Sequence, residues 1–184
     1  MIGVIDLKKI FLLAALICFA VSGTAFAARD YQSVGVVIIG GVDFKTEDFY
    51  KIVKNELKAK SGAKIFVGNE MQTLYKKFWL RKGFIGEQTP SKNDLIEFTR
   101  ASGYKKVVCL IVSDSVVDRH NNPKSREKDR VSVQLDAYLC TPLDVVDVFA
   151  AGDEELSKTS NLRARRGAFQ KCLKEINKGL SNHL

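Results

Sequence analysis

"KKVVCLIVSDSVV", residues 105–117, is the most continuously apolar stretch of the chain after the first 27 residues. Apolar runs without alternation are typical of strands that are covered on both faces of a sheet. A helix-like segment precedes this run, and a polar loop, "DRHNNPKSREKD", follows it. We therefore expect residues 105–117 to be a central strand of a sheet that carries helices.

Two further strand patterns follow the polar loop. In "RVSVQLDAYLC", residues 130–140, apolar and polar side chains alternate, which predicts one buried face and one wetter face. "TPLD" is a turn pattern, and "VVDVFAAG", residues 145–152, continues as another antiparallel strand. The three segments together predict a meander.

Upstream, two shorter strand patterns alternate with helices. "SVGVVIIGG", residues 33–41, reads as a buried strand, and "KIFVG", residues 64–68, as a second one. Between them we expect a helix that Thr46 caps through its hydroxyl and that Gly62 ends. Strands that alternate with helices in this way favour a parallel arrangement.

Three more helices are predicted from apolar periodicity and end signals. From Asn69 onward, five apolar residues fall on one helical stripe, and core packing is the favoured interpretation over a ligand platform. The stripe comprises Met71, Leu74, Tyr75, Phe78 and Trp79. Ser91 and Asp94 have capping-box spacing, with Gly103 as the stop. The last helix has Leu162, Phe169, Leu173, Ile176 and Leu180 as its predicted inward positions.

The elements therefore follow the order β-α-β-α-α-β-β-β-α. This order predicts an α/β sandwich, or α+β fold, with a mixed sheet of about five strands and helices packed on it. Residues 28–184 show no linker that would divide them, so we expect them to form one domain.

Residues 1–27 have the layout of a secretory signal peptide. Lys8 and Lys9 precede an apolar run over residues 10–21, and residues 25–27, Ala-Phe-Ala, fit the small-x-small cleavage rule. We expect cleavage after Ala27 and a secreted or periplasmic destination. A membrane anchor is the competing interpretation, but spanning needs about 20 strongly apolar residues, and this apolar run ends before that length. After cleavage, no integral membrane segment is expected.

The cysteines predict neither a lipid anchor nor a disulfide-built scaffold. Cys18 follows the bulky Ile17, whereas the lipoprotein signal has a small residue there. Cys109, Cys140 and Cys172 each lie in apolar surroundings, so a small core residue is the default interpretation. A disulfide between Cys109 and Cys140 is the alternative if their strands pair. No metal and no cofactor are expected, because no Cys/His cluster has ligand spacing.

The chain is basic, with a formal charge of +8, and it contains two basic clusters. The first comprises Lys124, Arg126, Lys128 and Arg130, and the second comprises Arg163, Arg165 and Arg166. Cations at a helix amino terminus oppose the helix dipole. Either Asp153, Glu154 and Glu155 offset the late arginines, or the arginines face an anionic partner such as a cell-wall polymer. A solvated charged surface is the favoured interpretation, and nucleic acid is not expected, since no aromatic side chains interleave with the arginines.

The best catalytic candidate is the polar group at the end of the central strand. "SDSVVDRH", residues 113–120, places serines, aspartates and His120 close together in sequence. Nothing in the pattern orients the histidine against a serine, so a hydrolase is the least favoured function and no catalytic residue is predicted. Gly40 and Gly41 match no phosphate-binding motif.

The order of these segments resembles a group of extracytoplasmic α/β domains. "IFVGNEMQTLYKKFW", "LIEFTRASGYKKVVCLIVSD" and the meander "RVSVQLDAYLCTPLDVVDVFAAGDEE" are similar in pattern to the domain shared by CsgG, LpoB and the amino-terminal domain of TolB. The resemblance implies a non-enzymatic protein that helps to assemble or regulate the cell envelope through a protein partner. A binder of anionic envelope polymer is the alternative.

Overall fold

A five-stranded mixed sheet with four α-helices packed on it makes up the fold. The computed structural model describes residues 33–86, 88–117, 129–157 and 160–184. The strands are β1 (Ser33–Ile39), β2 (Lys64–Val67), β3 (Lys106–Val117), β4 (Arg130–Cys140) and β5 (Val145–Leu156). The helices are α1 (Glu47–Glu56), α2 (Asn69–Arg81), α3 (Lys92–Ser102) and α4 (Asn161–Leu180), with a 3-10 helix at Val42–Phe44. The predicted fold class and element order are confirmed.

The strand order in the sheet is β2-β1-β3-β4-β5. β1 pairs in parallel with β2 and β3, while β3, β4 and β5 form the predicted antiparallel meander. β3 is therefore the middle strand, as its apolar run predicted. The order leaves β2 and β5 at the two edges of the sheet.

One face of the sheet packs against α1 and α4. Its core contains a cluster of three phenylalanine rings, Phe44 from the 3-10 helix, Phe49 from α1 and Phe169 from α4. The ring centroids lie 5.0 Å, 5.2 Å and 6.0 Å apart, and all three side chains are buried. The cluster joins three elements that are far apart in the sequence.

The other face packs against α2 and α3. The predicted stripe of α2 supplies four buried side chains, Met71, Tyr75, Phe78 and Trp79, and Leu74 is partly buried beside them. The rings of Tyr75, Phe78 and Trp79 contact one another edge to face or stacked. The stripe is therefore core, as the favoured interpretation of its spacing predicted.

The ends of α1 differ from the prediction. Thr46 is the residue before the helix, as predicted, but its hydroxyl makes no capping hydrogen bond. The helix ends at Glu56, with Leu57 as its C-cap residue, and does not continue to Gly62. Leu57 is buried in the core, so packing of that side chain turns the chain before the glycine is reached.

The capping box of Ser91 and Asp94 on α3 is confirmed.

Two predictions at the carboxy-terminal end of the chain also need correction. β5 continues to Leu156, four residues beyond the predicted end at Gly152, because its acidic residues pair with β4. Leu162 was predicted to face inward on α4, yet 39% of its side chain is exposed. Ala164 is the first buried residue of that helix.

Candidate functional site

Arg165 of α4 bridges two acidic side chains from distant elements. Its Nε lies 2.6 Å from Oδ2 of Asp114 in β3, and its Nη1 lies 2.8 Å from Oδ2 of Asp43 in the 3-10 helix. The side chains of Arg165 and Asp114 are each about one-fifth exposed. Charge-assisted hydrogen bonds of this length are the stronger class of hydrogen bond. The guanidinium group therefore joins three elements of the fold.

Arg166, the next residue of α4, pairs with α1. Its Nη2 lies 2.7 Å from Oδ2 of Asp48. Asp43, Asp48 and Asp114 thus offset the cations that oppose the dipole at the start of α4.

The acids considered as one possible offset for the late arginines pair with other cations. Lys171 lies 3.4 Å from Asp153 and 3.2 Å from Glu155, and Arg130 lies 3.3 Å from Glu154. Of the two alternatives for the late arginines, the one in which Asp153, Glu154 and Glu155 offset them is therefore not what the structure has. The β5 register places two of these acids over α4 beside Lys171, beyond the first turn of the helix.

The two predicted basic clusters are only partly available to an external anion. Lys124, Arg126 and Lys128 lie outside the described residues. Arg130, Arg165 and Arg166 each pair with an acid. Arg163 is exposed and has no ion pair with any residue that the structure describes. Binding of an anionic polymer through these residues stays a prediction, and its described part depends mainly on Arg163.

The polar residues at the end of β3 do not converge on one face. Asp114 lies on the α4 side, where Arg165 holds it, whereas Ser113 and Ser115 are exposed on the opposite side of the strand. Asp118 and His120 lie outside the described residues. The described part of this cluster therefore does not place a serine beside the aspartate.

Cys109 and Cys140 are diagonal neighbours on paired strands. Cys109 lies opposite Tyr138 in the register, and Cys140 follows two residues later on β4. Both are buried free thiols, and the hydrogen bond to Cys140 together with burial raises the pKa of the Cys109 thiol well above its usual value. Burial raises the pKa of Cys172 to about 11. The disulfide between Cys109 and Cys140 stays a prediction.

β5 offers a long open edge. Val145–Leu156 pairs with β4 on one side, and no strand among the described residues pairs with its other side. The burial of its side chains alternates between half-buried and exposed positions. Half-buried Phe149 and Ala151 pack on the α4 side, whereas Val145, on the far side of a register shift, packs on the other face. Among the exposed positions are Val146 and Val148, with 54% and 45% of their side chains accessible. Sequence periodicity predicted this strand but not the exposure of its apolar residues.

The sheet surface next to β5, on the side away from α4, is also open. Its side chains are small or polar, and the side chain of Gln134 lies against Gly152 on the neighbouring strand. The exposed residues of this surface include Ser113, Ser115, Gln134, Ala150 and Gly152. An added strand at β5 would therefore extend a surface that no described helix covers.

The opposite edge of the sheet is much shorter. β2 has four residues, Lys64–Val67, beside an open groove of about 420 Å³ between α1 and the start of α2. Phe66 is partly exposed there, and its ring lies 6.0 Å from that of Tyr104. This edge can form few backbone hydrogen bonds with another chain.

The described ranges contain neither a candidate metal site nor a membrane-spanning helix. No group of three His, Cys, Asp or Glu side chains in them could hold a metal ion. None of their helices is long and apolar enough to cross a membrane. The predicted signal peptide, residues 1–27, lies outside the described residues.

Comparisons with known proteins reveal distant structural likeness only. No family model and no curated protein matches the chain. A PelC dodecamer from Paraburkholderia phytofirmans is 15% identical, with 82% of this chain and 91% of that chain covered and a TM-score of 0.35. A homologue of neuraminyllactose-binding hemagglutinin from Helicobacter pylori is 16% identical, with coverages of 82% and 84% and a TM-score of 0.32. A DUF330 protein from Xanthomonas campestris is 10% identical, with coverages of 88% and 87% and a TM-score of 0.33.

These values assign no function to the chain. The resemblance to CsgG, LpoB and TolB stays a prediction.

Proposed function

We propose that this protein is a non-enzymatic domain, acting outside the cytoplasm, that binds a protein partner of the cell envelope by strand addition at β5. The observation that carries the proposal is the open edge of Val145–Leu156 with exposed apolar side chains in its first half. An edge strand presents unpaired backbone groups, and an extended segment of another chain can pair with them. The signal-peptide pattern of residues 1–27 supports the compartment.

The length of β5 favours it over β2 as the docking edge. Twelve residues can form several backbone hydrogen bonds with an added strand, whereas the four residues of β2 can form few. Natural proteins usually protect a long edge with charge, proline or a covering element. In β5 the acids from Asp153 to Glu155 protect the second half, and a register shift opposite Leu139 and Cys140 interrupts the pairing at the start of the first half. The first half, around Val146 and Val148, has the single charge of Asp147.

The two halves of β5 also indicate the chemistry of the partner. Val146 and Val148 would meet apolar or β-branched side chains of the added strand, since such cross-strand pairs stabilise sheets. The acids of the second half would disfavour acidic residues opposite them. We therefore expect the partner segment to be extended, to have alternating apolar residues and to be neutral or basic at one end.

Replacing Val148 with lysine is expected to weaken binding of the partner about tenfold, because it places a charge where an apolar cross-strand contact forms. The partner is first captured in cells with a photo-crosslinking amino acid at position 148. Its affinity for the wild type and for the variant is then measured with purified components. Val42→Lys is the matched control, because Val42 is 81% exposed and lies outside β5.

A salt titration separates this proposal from binding of an anionic polymer. Strand addition predicts an affinity that changes little with ionic strength, whereas polymer binding by cations predicts a steep loss. Arg163→Glu is the suitable charge variant, because Arg165 and Arg166 have internal ion pairs whose loss would perturb the fold. Binding that is steeply salt-dependent, lost in Arg163→Glu and unchanged in Val148→Lys would contradict strand addition.

A further inference from the structure

Three exposed apolar side chains lie together where α2 ends. Leu80 is 51% exposed, Phe84 is 43% exposed and Ile85 is 94% exposed. We call these three residues the apolar tip. Single exposed apolar residues are common on protein surfaces, but a group within six consecutive positions is a candidate contact surface.

The backbone of the apolar tip is fixed by the turn that ends α2. Gly83 adopts a left-handed conformation, with φ of +87°. Its N–H donates to the carbonyl of Leu80, and the N–H of Phe84 donates to the carbonyl of Trp79. These two bonds are those of a Schellman motif, whose usual apolar contact is present as a ring contact of 5.6 Å between Phe84 and Trp79. The tip is therefore held in place before any partner arrives.

Lys82 fastens the same turn to α3. Its ammonium group donates hydrogen bonds to Asp94 and Glu97, the latter at 2.7 Å, and lies over the rings of Phe78 and Trp79. The hydrogen bonds to Asp94 and Glu97 raise the pKa of Lys82. This lysine is thus paired at the surface with two acids of α3, and the cations considered for a partner are its neighbours on α2.

Exposed cations lie on the helix turns that precede and include the start of the apolar tip. Residues 71–86 include four cations and no acid. Lys76, Lys77 and Arg81 are exposed on α2, and none of them forms an ion pair with a residue in the described part of the chain. On a helix, Lys76 is next to Leu80 and Lys77 is next to Arg81, because residues four apart are neighbours. The end of α2 therefore combines exposed apolar side chains with exposed cations on the adjoining helix turns.

We propose that the apolar tip and the exposed cations of α2 bind the surface of a bilayer that contains anionic phospholipids. Apolar side chains of interfacial segments enter the boundary between headgroups and acyl chains, while lysine and arginine remain at the level of the phosphates. Anionic headgroups complement Lys76, Lys77 and Arg81, the exposed cations of α2 that have no ion pair among the described residues. The tip would hold the protein at a membrane surface without a spanning helix, and it is separate from the proposed docking edge at β5.

Vesicle sedimentation tests the proposal directly. Wild type and variants are produced from the full coding sequence and compared only when mass spectrometry gives them the same amino terminus. Wild type is expected to sediment with vesicles of phosphatidylglycerol and phosphatidylcholine, and Ile85→Asn is expected to lower the partition coefficient about tenfold. Val42→Asn, which alters another highly exposed apolar residue elsewhere, should leave it unchanged.

Two further arms test the charge and the location. Lys77→Gln combined with Arg81→Gln should weaken binding to anionic vesicles, and wild type should bind pure phosphatidylcholine much less. Trp79 is the single tryptophan, so quenching of its fluorescence by brominated acyl chains reports contact at the tip. Equal binding to both kinds of vesicle, no quenching, or equal losses in Ile85→Asn and Val42→Asn would overturn the proposal. The proposal would also be overturned if Ile85→Asn abolished binding to a protein while wild type did not sediment with vesicles.

Discussion

Replacing Phe169 with alanine is expected to lower the free energy of unfolding by about 3 to 5 kcal/mol. The side chain is fully buried, and its ring contacts both Phe44 and Phe49. Alanine would leave a cavity at the point where α4, α1 and the 3-10 helix meet. Such a loss is a large share of the total stability of a domain, which is typically about 5 to 15 kcal/mol. Urea unfolding followed by circular dichroism measures it.

Leu162→Ala is the matched control for this measurement. Both residues are large apolar positions of α4, and both were expected to face inward from their spacing. Because Leu162 is partly exposed, its truncation should cost less than about 1 kcal/mol. Equal effects of the two substitutions would contradict the orientation of α4 on the sheet.

Replacing Gly40 with alanine is expected to destabilise the protein by at least about 3 kcal/mol. Gly40 follows β1 with φ of +150°, a conformation that residues with a side chain rarely adopt. An added Cβ would lie 2.4 Å from the carbonyl oxygen of Val112 in β3. The methyl group would therefore collide with the backbone of the middle strand, which cannot move without disturbing its pairing.

Gly62→Ala separates the collision from the backbone strain. Gly62 also has a positive φ, of +77°, but an added Cβ would meet nothing within 4 Å. Its replacement should cost only about 1 kcal/mol, the price of a left-handed conformation. If thermal and urea unfolding gave similar losses for the two variants, the close approach of β1 to β3 would be wrong.

Local signals predicted the elements that are governed by local physics. The box of Ser91 and Asp94 and the stop at Gly103 lie at the two ends of α3, close in sequence to the residues they cap, and the structure has both. The alternation in β4 predicted its buried face because side chains of a strand point to opposite sides. Such patterns need no knowledge of the rest of the chain.

Contacts between distant residues could not be predicted in the same way. Arg165 pairs with Asp43 and Asp114, which are 122 and 51 residues away in the sequence. Only the packing of α4 on the sheet brings these charges together. The arginines thus looked like a free basic cluster in the sequence, although two of the three are held by aspartates in the fold.

The apolar tip was missed for a different reason. The apolar stripe of α2 predicts only the buried face of the helix, and the segment after Arg81 has no periodicity of its own. Gly83 directly after a basic helix end is a common stop signal, and it could have indicated the Schellman turn. The extension of β5 was missed because its last residues are acidic and show no apolar alternation.

Amide hydrogen exchange of the protein with and without its captured partner tests strand addition most directly. The account predicts that those amides of Val145–Leu156 that do not donate to β4 exchange at least about tenfold more slowly in the complex, because their N–H groups gain backbone acceptors. Amides of Lys64–Val67 should be unchanged. Protection confined to β2 or to the start of α4, with β5 exchanging at its free rate, would contradict the account.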